Sequence, residues 1–502
     1  MADIEIKLAV DRSRNRVLFA EAGSDFVDVL LSFLTLPLSA LQSCAPSPGC
    51  LSNLCNSVDL LKNSGLLKVE ACHGKLLTPA HTDEFQDCKS ASQYCDRAPT
   101  AACKCCLVMA RVLHVYEEFK KEAFVRGTGR FVISDDMTIN PASTRSIQSL
   151  LRAFGPDGIC HDFEELKVTV GWSMVLFMLK AFLSSDTILT DTFLSNESDA
   201  KAAHGSTMKE QSISQKVPPS NQDSAGSSPE TKFKVFYDTY QKEVVYAECN
   251  SEFVDLLLGF LTYPMSCVIK HTGARTRHLG RCFSNLYGSV AELASAGCFT
   301  GGLPSVMLLD PSIMPFNILN NIMSGRCRSL DCRCRKDTMP ELAQYCFHPE
   351  IVEEQRYVIG DDLLIYQATA MSVMKYWSGR YKDMVLEMDI TVGKQEAVAL
   401  LRAALTSKNA LTEVFIDELE KQSLVQKMQI FAKIPWGKTI TVEVTRSDTI
   451  ATVKSKIKEK ASIPAGYRHE LVYGSRYLKD LSSVADYNLV KECTITSEFF
   501  RK

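Results

Sequence analysis

The chain has 502 residues, room for about three domains, and its apolar share of 46% and charged share of 23% are ordinary for a soluble globular protein. A net charge of -3 gives no overall pull toward nucleic acid or a membrane; the opening MADIEIKLAVDRSRNR has no signal-peptide core, and the longest apolar stretch, Phe26 to Leu41, holds Asp28 and Pro37 and is too short to span a bilayer. The 19 cysteines are therefore expected in a reducing compartment, cytoplasmic and/or nuclear, as core thiols or metal ligands.

In chain order, Lys7 to Val10 and Val17 to Ala20 alternate around a DRSRN turn as a hairpin. Ser24 is placed to cap a helix that buries Phe26, Val27, Leu30, Leu31 and Leu34 and ends before Pro37. A second helix follows Cys50. Cys88, Cys95, Cys103 and Cys106 come next and could close one tetrahedral thiolate zinc site, because a CxxC knuckle presents two sulfurs to one edge of the metal and needs two more. The irregular spacing of Cys88 and Cys95, with Cys105 as a competitor, leaves unliganded loop thiols as the alternative. Arg126-Gly127-Thr128-Gly129 reads as a turn, and Phe131 to Ile133 and Lys167 to Val170 as short strands, the latter feeding a helix through Leu176, Leu179 and Phe182.

The adjacent carboxylates Asp135-Asp136 suggest acid–base chemistry, but neighbours on a strand point to opposite faces, so a strand end and turn is the expectation. Ser195 to Thr231 is rich in Ser, Gln, Lys and Pro and is expected to be a disordered linker. Beyond it the chain repeats itself. VLFAEAGSDFVDVLLSFLTLPLSAL returns as VVYAECNSEFVDLLLGFLTYPMSCV, CLSNLCNSV as CFSNLYGSV, FVISDDMTI as YVIGDDLLI with Asp361-Asp362, and LKVTVGWSMVLFMLKAFLSSDTILTDTFL as MDITVGKQEAVALLRAALTSKNALTEVFI. Four matches in one order make a tandem duplication, with units at 4–194 and 232–425, each expected to fold by itself. The mixture of helices and strands without regular βαβ spacing makes each unit α+β, with no parallel doubly wound sheet.

Within the second copy, Cys327, Cys332, Cys334, Cys346 and His348 offer a similar number of ligands among Arg326, Arg328, Arg333, Arg335 and Lys336, whose charge would favour thiolates. That run, and KHTGARTRHLGR from Lys270 to Arg281, could instead touch phosphate; neither interleaves aromatics, so solvated loops are expected and nucleic acid is not. No P-loop, GxSxG, HExxH or GxGxxG motif is present. The VLFAEAGSDFVD, LTLP and VISDD signatures, from Ile4 to about Val425, resemble the plant family catalogued as domain of unknown function 674. That resemblance implies a plant source and no assigned activity. It also implies a CxxC pair just before the VISDD strand, a place that Cys103-Lys104-Cys105-Cys106 fits.

The C-terminal stretch opens with Met428 to Ile434 and Lys438 to Thr445, two β-rich runs around Pro435-Trp436-Gly437. Thr449 can cap a helix with Ile450, Val453 and Ile457 on one face, Lys454, Lys456, Lys458 and Lys460 in solvent, and Pro464 at its close. Residues 428–502 resemble ubiquitin, which implies a β-grasp domain. The chain ends Phe499-Phe500-Arg501-Lys502 in place of a diglycine, so the module is expected not to be conjugated. The resemblance places the usual apolar recognition face at Pro435, Val472, Thr496 and Glu498; Val472 alone keeps its character, and Glu498 puts a charge where receptors bury a methyl group. Of the chain-linking lysines, Lys491 is present and Arg476 replaces another.

The expected fold is α+β: two duplicated α+β units, a linker, and a ubiquitin-like β-grasp domain. The expected function is a non-enzymatic interaction or adaptor protein of unassigned role, whose ubiquitin-like module docks through Pro435, Val472, Arg476, Thr496 and Glu498 to proteasome, ubiquitin ligase or segregase components. The alternative is a zinc-supported enzyme or nucleic-acid-binding protein built on the cysteine-rich loops. No membrane partner is expected.

Overall fold

In the computed structural model, the described residues are 4–44, 49–67, 124–144, 163–194, 230–273, 281–300 and 355–501, apart from 128, 183–184, 436 and 462–466, together with isolated positions such as Val352. The proposed linker 195–231 falls almost wholly outside them.

The first copy opens with β1 (Ile4–Asp11) and β2 (Arg16–Gly23), a hairpin longer than its alternation predicts. Asp11 closes the turn by accepting the Ser13 and Arg14 amides at 2.9 and 3.2 Å, and Asn15 takes the left-handed conformation, φ 47°, that the tight reversal demands. Then come α1 (Ser24–Ser32), α2 (Leu38–Cys44) and α3 (Leu51–Asn63), with a single 3-10 turn, Phe33–Thr35, before Pro37. Ser24 is the first helical residue and Gly23 the cap, without a side-chain hydrogen bond, so the expected serine cap is not made. Helix α2 has no counterpart in the sequence reading. β3 (Arg130–Ser134), β4 (Ile139–Pro141) and β5 (Glu164–Val170) complete an antiparallel sheet of order β4-β3-β2-β1-β5, followed by α4 (Trp172–Ala181) and α5 (Ile188–Phe193).

The second copy repeats this order as β6 (Thr231–Asp238), β7 (Glu243–Cys249), α6 (Ser251–Gly259), α7 (Met265–Thr272), α8 (Arg281–Ser295), β8 (Tyr357–Gly360), β9 (Ile365–Gln367), α9 (Ala370–Trp377), β10 (Val385–Val392), α10 (Lys394–Thr406) and α11 (Ala410–Val425). Its sheet, β10-β6-β7-β8-β9, has the same order as the first. The ubiquitin-like module contributes β11 (Lys427–Lys433), β12 (Thr439–Thr445), α12 (Ile450–Ala461), β13 (Tyr467–Tyr473), β14 (Arg476–Tyr477) and β15 (Thr494–Arg501), in the mixed order β12-β11-β15-β13-β14. β11 and β15 run parallel, and the apolar stripe of α12, Ile450, Val453 and Ile457, packs into a core with Ile430, Val442, Leu471 and Ile495, which is the predicted β-grasp.

The compact units do not follow the repeats. One unit comprises 1–231, 251–353 and 392–407; the other comprises 232–250, 354–391 and 408–502. Helices α6, α7, α8 and α10 of the second copy therefore pack with the first copy, whereas the second copy's sheet, α9 and α11 share a unit with the ubiquitin-like module. The expectation that each copy folds as its own unit is corrected: helix faces bearing Phe26, Leu30 and Leu34 and their repeats are equally apolar in both copies, so hydrophobic periodicity cannot tell which copy a helix covers.

Candidate functional site

The duplicated aspartate pairs fold as the alternation argument requires. In the first copy Asp135 points inward and is almost fully buried, accepting the Thr190 amide at 2.9 Å, the Thr190 hydroxyl at 2.7 Å and Arg16 Nε at 3.4 Å. The Thr190 oxygen in turn accepts the Val17 amide at 2.9 Å, so one carboxylate ties the strand end to the start of α5 and to β2. In the second copy Asp361 takes the Thr412 amide and hydroxyl, both at 2.7 Å, and Asn409 Nδ2 at 3.0 Å, while Thr412 receives the Val244 amide at 2.7 Å. Burial pushes both carboxyls above the usual carboxylate range, and these donors pull back toward the charged form.

The second aspartate of each pair turns the other way. Asp136 accepts from the Ser134 hydroxyl at 2.5 Å and from Thr138 Oγ1 at 3.0 Å; Asp362 accepts the Leu364 amide at 3.2 Å. The residues that follow, Met137 and Leu363, have φ 64° and 60°, left-handed backbone enforced by the turn. Within each copy the two carboxylates thus have different partners, Asp135 and Asp361 a threonine far along the chain, Asp136 and Asp362 their own turn. Thr190 and Thr412 were not singled out in the sequence, yet they hold matching places in DTILTDTFL and KNALTEVFI, which is the signal that marks them.

Asp28, whose repeat partner is the buried Asp255, is itself half-buried. It accepts the Val125 amide at 3.0 Å, fastening 124–125 to α1, and burial pushes it up to about 6.

Cys88, Cys95, Cys103 and Cys106, proposed as zinc ligands, and Cys327, Cys332, Cys334, Cys346 and His348 lie outside the described residues. Among the described residues no group of three or more His, Cys, Asp or Glu is placed to hold a metal ion. The described cysteines are free thiols. Burial holds several protonated, Cys55 pushed up to about 11 and Cys282 to about 12, the environment of a packing thiol.

The ubiquitin-like module presents the other candidate site. On its outward face Val472 of β13 stands opposite Thr496 of β15, and Glu470 opposite Glu498. Tyr477 pairs in register with Val472, and its hydroxyl donates to Glu498 Oε2 at 3.0 Å. Val472 and Glu498 are half-buried; Thr496, Arg476 and Pro435 are exposed. Pro435 sits in the β11–β12 turn, where Gly437 at φ 79° donates its amide to Ile434. Lys433, two residues before it, pairs with Thr496. Val472, Thr496 and Glu498 therefore share one surface with Tyr477, a residue that no local spacing marks, and Arg476 pairs with Tyr473 at the β13–β14 turn.

One lysine differs from expectation. Lys454 is only 7% exposed, its ammonium 2.8 Å from Glu470 and 2.6 Å from Asp480, so it is a buried ion-paired strut and not a solvated charge. Beneath the same strands His469 is 4% exposed, stacked on Phe499 with ring centroids 4.5 Å apart, and neither ring nitrogen has a partner. Burial first, then the charges of Lys454 and Lys458, push it down to about 4. The β12–α12 loop meets the second copy: the Ser447 amide donates to the Leu424 carbonyl of α11 at 3.0 Å, and Arg446, 7% exposed, lies buried beside Tyr237 of β6.

Compared with known families, residues 1–329 and again 320–462 match the model described as Protein of unknown function (DUF674), and residues 430–497 match that of the ubiquitin family. The second match runs across the α11–β11 junction into the module.

Proposed function

The chain belongs to the DUF674 family and carries a ubiquitin-family module, and from that premise we propose a non-enzymatic adaptor, in which the duplicated α+β body holds the module in a fixed pose for a protein partner of the ubiquitin–proteasome system. The observation that carries this reading is the division of labour within the module. Its Arg446–Ser447 loop is taken up by the second copy, while Thr496 and Tyr477 are exposed beside half-buried Val472 and Glu498. The engagement of Asp135, Asp136, Asp361 and Asp362 with backbone and neighbouring hydroxyls supports a binding role over catalysis. Proteasome, ubiquitin ligase and segregase components are the partner classes that handle such modules.

The surface favours a receptor other than those that grip ubiquitin's apolar face. Burying the Glu498 carboxylate in an apolar receptor pocket would break its Tyr477 bond, and the missing methyl contacts are worth on the order of a few kcal/mol. Titration of the full chain with an ordinary ubiquitin-binding domain should give affinity at least about a hundredfold below that for ubiquitin. Glu498→Val should recover part of it; affinity equal to ubiquitin's, or no gain in the variant, would count against this surface.

A further inference from the structure

The contacts between the two copies inside the first compact unit are reciprocal. Pro37 and Pro264, matching residues of the repeat, face each other in an antiparallel bridge, with the Leu38 amide on the Tyr263 carbonyl at 3.1 Å and the Met265 amide on the Leu36 carbonyl at 2.9 Å. Cys50 Sγ donates to the Ser407 carbonyl at 2.8 Å, and its repeat partner Cys282 donates to the Ser185 carbonyl at 3.4 Å, Ser185 being the partner of Ser407. The Arg126 amide meets the Cys298 carbonyl at 2.9 Å, and the Val352 amide meets the Leu66 carbonyl at 3.1 Å, again the same contact with the copies exchanged. Helices follow suit: α1 packs on α8 and α6 on α3, α2 on the 3-10 turn Phe260–Thr262 and α7 on Phe33–Thr35. Phe283 of the second copy lies 4.8 Å from Phe182 of the first.

A contact in which residue i meets j and the partner's j meets i is an isologous interface, the kind two identical subunits make around a two-fold axis. Here one chain supplies both sides. Nothing in these contacts requires that the two copies belong to the same polypeptide, because each hydrogen bond is made by residues of the repeat itself. We propose that this surface also takes a second molecule of this chain as partner, the first copy of one chain pairing with the second copy of another to form an exchanged dimer that brings two ubiquitin-like modules into one particle. The intrachain arrangement has an effective concentration on the order of millimolar, so closed monomers dominate dilute folded protein and exchange is set during folding at high concentration.

The bridge itself provides the test. Its hydrogen-bond pattern makes Pro37 and Pro264 a non-hydrogen-bonded antiparallel pair, with Cα atoms about 4.5 Å apart, within disulfide range. Full-length chain carrying Pro37→Cys and Pro264→Cys together should cross-link within the monomer. Full-length chains carrying one change each, differently tagged, should cross-link to each other when refolded as a concentrated mixture, about tenfold or more above a mixture of chains folded separately at low concentration. The disulfide is identified by mass spectrometry of the peptide joining the two introduced cysteines. Failure of the double variant to cross-link would refute the pairing, and cross-linking of the double variant without any in the co-refolded mixture would refute the exchange.

Discussion

Buried His469 and half-buried Asp28 give opposite acid responses. His469 sits near 4 in the folded module against an ordinary value near 6.5, so the unfolded chain binds the extra proton between these values and stability is lost as pH falls from about 6.5 to about 4, by about 3 kcal/mol in all. Hydrogen exchange of the β13 and β15 amides should quicken through that window, and His469→Gln should flatten the response. Asp28 is displaced upward, to about 6, so it adds stability as pH falls from 6 toward the ordinary carboxylate range. Asp28→Ala should cost about 1–3 kcal/mol by stranding the fully buried Val125 amide, whereas Asp28→Asn keeps an acceptor and should cost much less. Thermal melting of both variants distinguishes a hydrogen-bonding role from a charge.

Among elements, the start of α3 and the end of α10 approach so closely that a Cβ on Gly49 would stand 2.4 Å from the Ala404 carbonyl oxygen. Because that neighbour is backbone, Gly49→Val should force the helices apart and cost about 1–3 kcal/mol, read as a lower melting temperature. The β12–α12 loop predicts the opposite sign. Arg446 is buried beside the Tyr237 phenol, itself pushed up to about 12 by burial, and desolvation pulls the guanidinium down. Arg446→Met keeps the packing stem and removes a desolvated charge, so melting of the unit should rise by the equivalent of about 1 kcal/mol. A fall would mean that the guanidinium is the anchor of the docked module.

For the whole molecule, the division of the second copy between two units makes the connecting segment dispensable for holding the copies together. Protease cleavage within 195–230 should leave the two fragments co-eluting as one particle that separates only in denaturant. Independent elution of a 1–194 fragment would show that the reciprocal contacts are too weak to hold it.

The duplication, the DRSRN hairpin, the turn role of the aspartate pairs and the β-grasp module are legible in the residues alone, because each depends on local spacing: alternation, adjacent carboxylates at a strand end, an apolar stripe on one helix. Long-range packing is what buries Lys454 between Glu470 and Asp480, sets the Tyr477 hydroxyl on Glu498, and groups α6, α7, α8 and α10 of the second copy with the first copy. Those outcomes join residues far apart in the chain, and burial has no direction: an apolar helix face gains the same free energy against either of two nearly identical copies, so the choice between them is made by packing and not by pattern.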